Sequence, residues 1–145
     1  MSDRPDLKKI WGNLRWNDET TAQLYQKIKR VMKSGVDINL MSKRLLTAKN
    51  GVPKVEEYTL YDLAIDARLT SQKQNAAHWF ALMNMLRKLG ARSACQLVRA
   101  MTPIEKEKNK LDSIKILQDY LEEREFFTER KICYLSPPFG QHQRN

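Results

Sequence analysis

The feature that most constrains the fold is a spacing of apolar residues that recurs along most of the chain. Apolar side chains follow one another at intervals of three and four residues, which places them on one face of an α-helix. One group ends at Gly35 and another at Gly90, where glycine can adopt the left-handed conformation that closes helices. The groups form three pairs: 5–15 with 19–34, 59–68 with 76–89, and 93–101 with 103–126. We therefore predict an all-α fold, a stack of about three antiparallel helix pairs.

The region 40–58 interrupts this spacing. Asn50-Gly51 lies near its centre, and this dipeptide favours a tight β-hairpin turn because both residues tolerate positive φ. Pro53 has no N–H to donate to a neighbouring strand, so it suits an open edge. We predict a long finger loop or a β-hairpin at about 40–58.

The chain of 145 residues has the length of one ordinary domain. Its helical pattern fades beyond about Phe127, and Pro137 with Pro138 cannot continue a helix. We predict a single helical domain at 1–127 and a C-terminal tail at 128–145. The strongest helical face should be buried, and most aromatic residues lie in or beside such faces, where core packing is expected. The residues concerned are Trp79, Leu82, Met83 and Leu86 for the buried face, and Trp11, Tyr25 and Phe80 among the aromatics.

Three segments resemble parts of the ankyrin repeat. Residues 35–39, Gly-Val-Asp-Ile-Asn, resemble the Gly-Ala-Asp-Val-Asn that closes a repeat. Residues 59–64, Thr-Leu-Tyr-Asp-Leu-Ala, are similar to the Thr-Pro-Leu-His-Leu-Ala opening, and residues 82–91 resemble a second helix with its closing Gly-Ala. The chain departs from the family in spacing, because Gly35 and Gly90 lie 55 residues apart whereas a repeat has about 33. The resemblance identifies the chain as a divergent ankyrin-repeat protein.

This resemblance implies a binding function. Ankyrin-repeat proteins bind partners through finger tips and the inner faces of the first helices. Carried over to this sequence, the binding residues would be Lys43, Arg44, Lys49 and Lys54 in the finger, with Tyr61, Asp62 and Arg68 on a first helix.

The charge of the chain indicates the chemistry of its partner. There are 26 Lys and Arg against 17 Asp and Glu, a net charge of +9, which favours an acidic protein, nucleic acid or an anionic membrane surface. We expect a protein–protein interaction module that binds an acidic partner. The alternative is a basic, helical nucleic-acid-binding protein, whose binding would fall steeply with salt.

The sequence carries no pattern that indicates catalysis. It has no Gly-rich phosphate loop, no Gly-x-Ser-x-Gly and no metal-ligand spacing. Cys95 and Cys133 are too few for a disulfide framework, and His78 and His142 are too few for a zinc site. We therefore expect no enzyme activity, no catalytic residue, no metal and no cofactor.

The expected location is the cytosol. The start of the chain, MSDRPDLKKI, lacks the apolar core of a signal peptide, and no run approaches the roughly 18 apolar residues that a membrane span needs. Short ankyrin-like proteins also occur among effectors that intracellular bacteria deliver into a host cytosol. The Glu-rich stretch at 122–129 is similar to an acidic secretion signal of such effectors, although an ordinary solvated helix surface explains it equally well.

Overall fold

A computed structural model of the chain describes residues 5–47, 49–71 and 75–135, and for 125–135 it describes the backbone alone. The elements in chain order are α1 Leu7–Ile10, α2 Thr21–Lys33, β1 Ser42–Thr47, β2 Pro53–Tyr58, α3 Leu60–Thr70, α4 Ala76–Lys88, α5 Ala94–Arg99 and α6 Pro103–Leu135.

The predicted all-α stack is wrong. The described residues form six helices and a two-stranded antiparallel sheet, a mixed α/β arrangement. The strands Ser42–Thr47 and Pro53–Tyr58 pair with each other as a β-hairpin and satisfy each other's backbone groups. In two of the three predicted pairs one helix is also much shorter than its partner, because α1 has only four residues and α5 only six.

Local chemistry explains why these two helices are short. The helix α1 ends with Trp11 as its C-cap residue, and Gly12 and Asn13, both poor helix formers, come next. A Cβ atom at position 12 would clash with the carbonyl oxygen of Lys8. The backbone conformation at this turn therefore requires glycine. The helix α5 ends before Thr102-Pro103, since the residue before a proline is disfavoured in helical conformation.

The chain divides into two compact units. The first contains the described residues of Met1–Arg44 and Glu56–Lys106, and the second those of Leu45–Val55 and Glu107–Asn145. The predicted boundary between domain and tail, at 127 and 128, falls inside α6, which continues to Leu135. Residues 136–145 of the predicted tail lie outside the described residues.

The core of the first unit is formed mainly by one face each of α2, α3 and α4. Leu24 and Ile28 of α2 and Leu60 of α3 are fully buried. The prediction for α4 is confirmed: its inner face is buried, with Trp79 and Met83 at 3% and 4% exposure and Leu82 and Leu86 at 0%.

Two loops of this unit are joined through one side chain. Gly35 and Gly90 both have positive φ, 106° and 91°, as their closing positions predict. Asn39, in the loop after α2, donates from Nδ2 to the carbonyl oxygen of Gly90 at 2.9 Å. Its Oδ1 accepts the N–H of Arg92 at 2.8 Å. The amide therefore satisfies a backbone acceptor and a backbone donor in the loop after α4.

Candidate functional site

The structure places Arg44 in a network of contacts within the protein. Its Nη2 lies 2.8 Å from Oε1 of Glu56 and its Nη1 lies 2.9 Å from Oδ2 of Asp66, while the guanidinium stacks 4.9 Å from the ring centre of Tyr58. Burial of the guanidinium disfavours its charged form, but the hydrogen bonds that it donates to Glu56 and Asp66 outweigh this effect and raise the pKa of Arg44. Arg44 thus connects β1 with β2 and with α3.

The other finger lysines differ in exposure. Lys43, beside Arg44 on β1, is half-buried. Lys49 and Lys54 are exposed and belong to the outer part of the hairpin, in the second unit. Gly51 in the turn has φ of 80°, and the Oδ1 of Asn50 accepts the N–H of Val52 at 3.1 Å. Two exposed cations therefore lie near the Asn-Gly turn of the hairpin, Lys49 before the turn and Lys54 on β2.

The three binding residues predicted on α3 are Tyr61, Asp62 and Arg68, and the structure places them in two different settings. Asp62 is occupied by the backbone: its Oδ2 accepts the N–H of Thr59 at 3.0 Å and the N–H of Ala94 at 2.9 Å. Tyr61 accepts a hydrogen bond from Nε of Arg87 at 3.2 Å, and Arg68 is exposed. Tyr61 and Arg68 lie on a surface shared with α4, whereas Asp62 holds the starts of α3 and α5.

The most prominent feature of that surface is Phe80, which we expected in the core. Its side chain is 70% exposed. On α4 the inward positions are taken by Trp79, Leu82, Met83 and Leu86, and at about 100° per residue Phe80 lies well to one side of their common direction. The sequence contained this signal, because the angular position of each residue around the helix separates Phe80 from the four buried ones.

Two open cavities flank Phe80, and both include its ring. The first has a volume of about 420 Å³, and its lining includes apolar Ala77 and Met83 together with Arg68 and Arg87. The second has a volume of about 660 Å³ and is lined by Tyr25 of α2 and by Phe80, Ala81, Asn84, Met85, Lys88 and Leu89 of α4 and the turn after it. No carboxylate lines either cavity. We call the residues of these two cavities the Phe80 surface.

A third cavity, of about 190 Å³, surrounds His78 and includes Asp18 and Glu19. His78 is hydrogen-bonded through Nε2 to the carbonyl oxygen of Trp16 at 2.7 Å. Glu19 pairs with Lys27 at 2.6 Å, and the hydrogen bond from Lys27 lowers the pKa of the Glu19 carboxyl. The His78 contact therefore joins the loop before α2 to α4, and the Glu19–Lys27 pair joins the same loop to α2.

Within the part of the chain that the structure describes, no group of three or more His, Cys, Asp or Glu residues could hold a metal ion. None of the described helices combines the length and apolar character that crossing a bilayer demands.

Comparison with protein families, with curated proteins and with solved structures finds no match to this chain. The resemblance to ankyrin repeats stays a prediction.

Proposed function

We propose that the chain is a non-enzymatic interaction protein that holds an acidic protein partner on the Phe80 surface. The observation that carries the proposal is the exposure of Phe80, 70%, between two cavities that contain cationic side chains and no carboxylate. Large aromatic residues in pockets contribute disproportionately to protein–protein affinity.

The lining of the cavities favours apolar side chains of a protein as the contacting groups. Ala76, Ala77 and Ala81 are short, so they leave space beside the Phe80 ring, and Met85 can adjust its shape to different partners. A partner residue such as Leu or Phe would gain most from this lining, since burial of apolar area is the main favourable term in association.

The cations that line the cavities favour an acidic partner. Arg68 and Arg87 line one cavity and Lys88 lines the other. Arg87 is held in place by Tyr61 and by Oδ1 of Asn84, at 3.2 Å each, so little side-chain freedom is lost when it binds a carboxylate. Charges at the rim of an interface chiefly speed association and exclude partners of like charge.

Nucleic acid is the second candidate, and one observation favours it. Tyr25 and Phe80 line the same cavity beside Lys88, and aromatic rings next to cations form surfaces on which bases stack. In that case the same residues would bind single strands with little preference for sequence.

The test is affinity purification with the full chain as bait, with and without nuclease, followed by identification of the retained proteins and measurement of their affinity. Phe80→Ala should weaken binding of a nuclease-resistant protein at least about tenfold, as loss of a buried aromatic anchor does. The melting temperature of the Phe80→Ala variant should change little, because the Phe80 side chain is exposed. The matched control is Val52→Ala, which removes an apolar side chain that is 55% exposed on the hairpin and should keep wild-type affinity.

Two results would contradict the proposal. If Phe80→Ala binds every recovered protein as well as the wild type does, the Phe80 surface is not the contact. If nuclease removes all partners, and Phe80→Ala instead weakens binding of a single-stranded oligonucleotide, the nucleic-acid candidate replaces the protein one.

A further inference from the structure

The long helix α6 carries a second, independent surface. Its 33 residues form one continuous helix, and four large apolar side chains on its described part are exposed: Ile104 at 83%, Leu111 at 56%, Ile114 at 42% and Leu121 at 40%. Glu107 and Gln118, also exposed, fall on the same side of the helix. These six residues are spaced alternately by three and four, which is the spacing of the contact positions in a coiled coil. We call them the α6 face.

The order of residues on the α6 face is the same in both directions. Read from either end it runs apolar, polar, apolar, apolar, polar, apolar. When two such helices run antiparallel, Ile104 lies opposite Leu121 of the second copy and Leu111 lies opposite Ile114 of the second copy. The remaining positions place Glu107 opposite Gln118 of the second copy, where carboxylate and amide can share a hydrogen bond. We propose that the α6 face pairs antiparallel with the same face of a second copy of this chain.

The polar pair selects this arrangement over the alternatives. In a parallel pair Glu107 would face Glu107 of the second copy, and like charges in the contact layer repel. Sliding the antiparallel helices by a heptad in one direction would place Glu107 opposite Leu111 of the second copy and leave its carboxylate without a partner, which costs free energy. Sliding them in the other direction would place Glu107 opposite Glu125 of the second copy, a residue of like charge. A single polar layer is known to set register and orientation in this way, at the expense of stability.

The charges along one edge of the face support the same orientation. Lys108, Lys115 and Glu122 line that edge, and all three are exposed. Helical side chains lean towards the N-terminus of their own helix, so in the antiparallel pair Lys108 and Glu122 of the second copy lean towards each other. Because a two-fold axis relates the two copies, the contact between Lys108 and Glu122 occurs twice. Lys115 meets Lys115 of the second copy near the axis, and this repulsion keeps the dimer weak.

The test is the mass of the full chain in solution, measured by sedimentation equilibrium over a concentration series. The wild type should show a monomer–dimer equilibrium. Leu111→Lys with Ile114→Lys should remain monomeric and keep the helical circular dichroism of the wild type, because both side chains are exposed. Lys115→Gln should tighten the dimer by removing the repulsion at the axis.

The orientation is tested by exchanging charges. Lys108→Glu should weaken the dimer about tenfold, since two attractive contacts become repulsive. Lys108→Glu combined with Glu122→Lys should restore wild-type dimerisation, because only the antiparallel arrangement places these residues together. A monomeric wild type at all concentrations, or a dimer that survives the Leu111 and Ile114 substitutions, would overturn the proposal. Failure of the charge exchange to restore the dimer would overturn the antiparallel register. Phe80→Ala is expected to leave the dimer unchanged, so this proposal and the proposed function can fail separately.

Discussion

At the scale of single residues, Asp62 shows how one carboxylate can position two helices. It accepts the N–H of Thr59 at the start of α3 and the N–H of Ala94 at the start of α5. The first N–H groups of a helix have no partner within it, and a negative charge at this end also interacts favourably with the helix dipole. Asp62 therefore contributes to stability twice, although its place in the sequence suggested a binding role.

Asp62→Ala should lower the free energy of unfolding by about 1–3 kcal/mol, because buried donors lose their acceptor. Denaturant melts of the full chain measure this. The matched control is Asp112→Ala at an exposed position of α6, which should change the free energy by less than about 0.5 kcal/mol. Equal effects of the two substitutions would show that the contacts of Asp62 do not stabilise the fold.

Residue positions explain which parts of the candidate site the sequence could reveal. Periodicity located the buried face of α4, and the same angular argument, applied to Phe80, would have placed that residue outside the core. The partner of Arg87 could not have been found in this way. Tyr61 lies 26 positions earlier in the chain, and its contact exists only because α3 and α4 pack side by side.

At the scale of elements, the hairpin is joined to α3 by Arg44. The turn was predictable, since Asn-Gly favours one local backbone conformation. The ion pair of Arg44 was not predictable, because its partner Asp66 lies 22 positions away in the chain. The same limit applies to α1 and α5. Their apolar spacing predicted a helical face, whereas helix length was decided by glycine and proline at the ends.

Arg44→Gln should lower the free energy of unfolding by about 1–2 kcal/mol, because it removes charged hydrogen bonds that are only partly screened by solvent. Lys54→Gln changes an exposed cation on the same hairpin and should leave the free energy nearly unchanged. Thermal or urea melts compare the two variants with the wild type. A larger loss from Lys54→Gln than from Arg44→Gln would refute this description of the hairpin.

At the scale of the whole molecule, the net charge of +9 acts on any approaching partner before contact is made. The range of this field is set by salt: the Debye length shrinks from about 30 Å at 0.01 M to about 8 Å at 0.15 M. Charge of this kind determines how fast partners meet, while apolar contacts determine how long they stay together.

The association rate with the proposed acidic partner should therefore fall several-fold as salt is raised across that range, with a smaller change in the dissociation rate. Surface-based or stopped-flow kinetics can separate the two rates. Lys88→Gln should reduce the association rate, and Phe80→Ala should mainly increase the dissociation rate. If salt acted chiefly on dissociation, the cations would be making close buried pairs with the partner instead of guiding its approach.

The side chain of Asn39 has a consequence for the motions of the first unit. The N–H of Arg92 belongs to a loop, where amide protons usually exchange with solvent rapidly, yet its acceptor is an atom 53 positions earlier in the chain. This proton can exchange only when the loops after α2 and α4 separate. In deuterium-exchange measurements it should exchange far more slowly than its loop neighbours, and Asn39→Ala should abolish that protection while the amides within α4 remain slow.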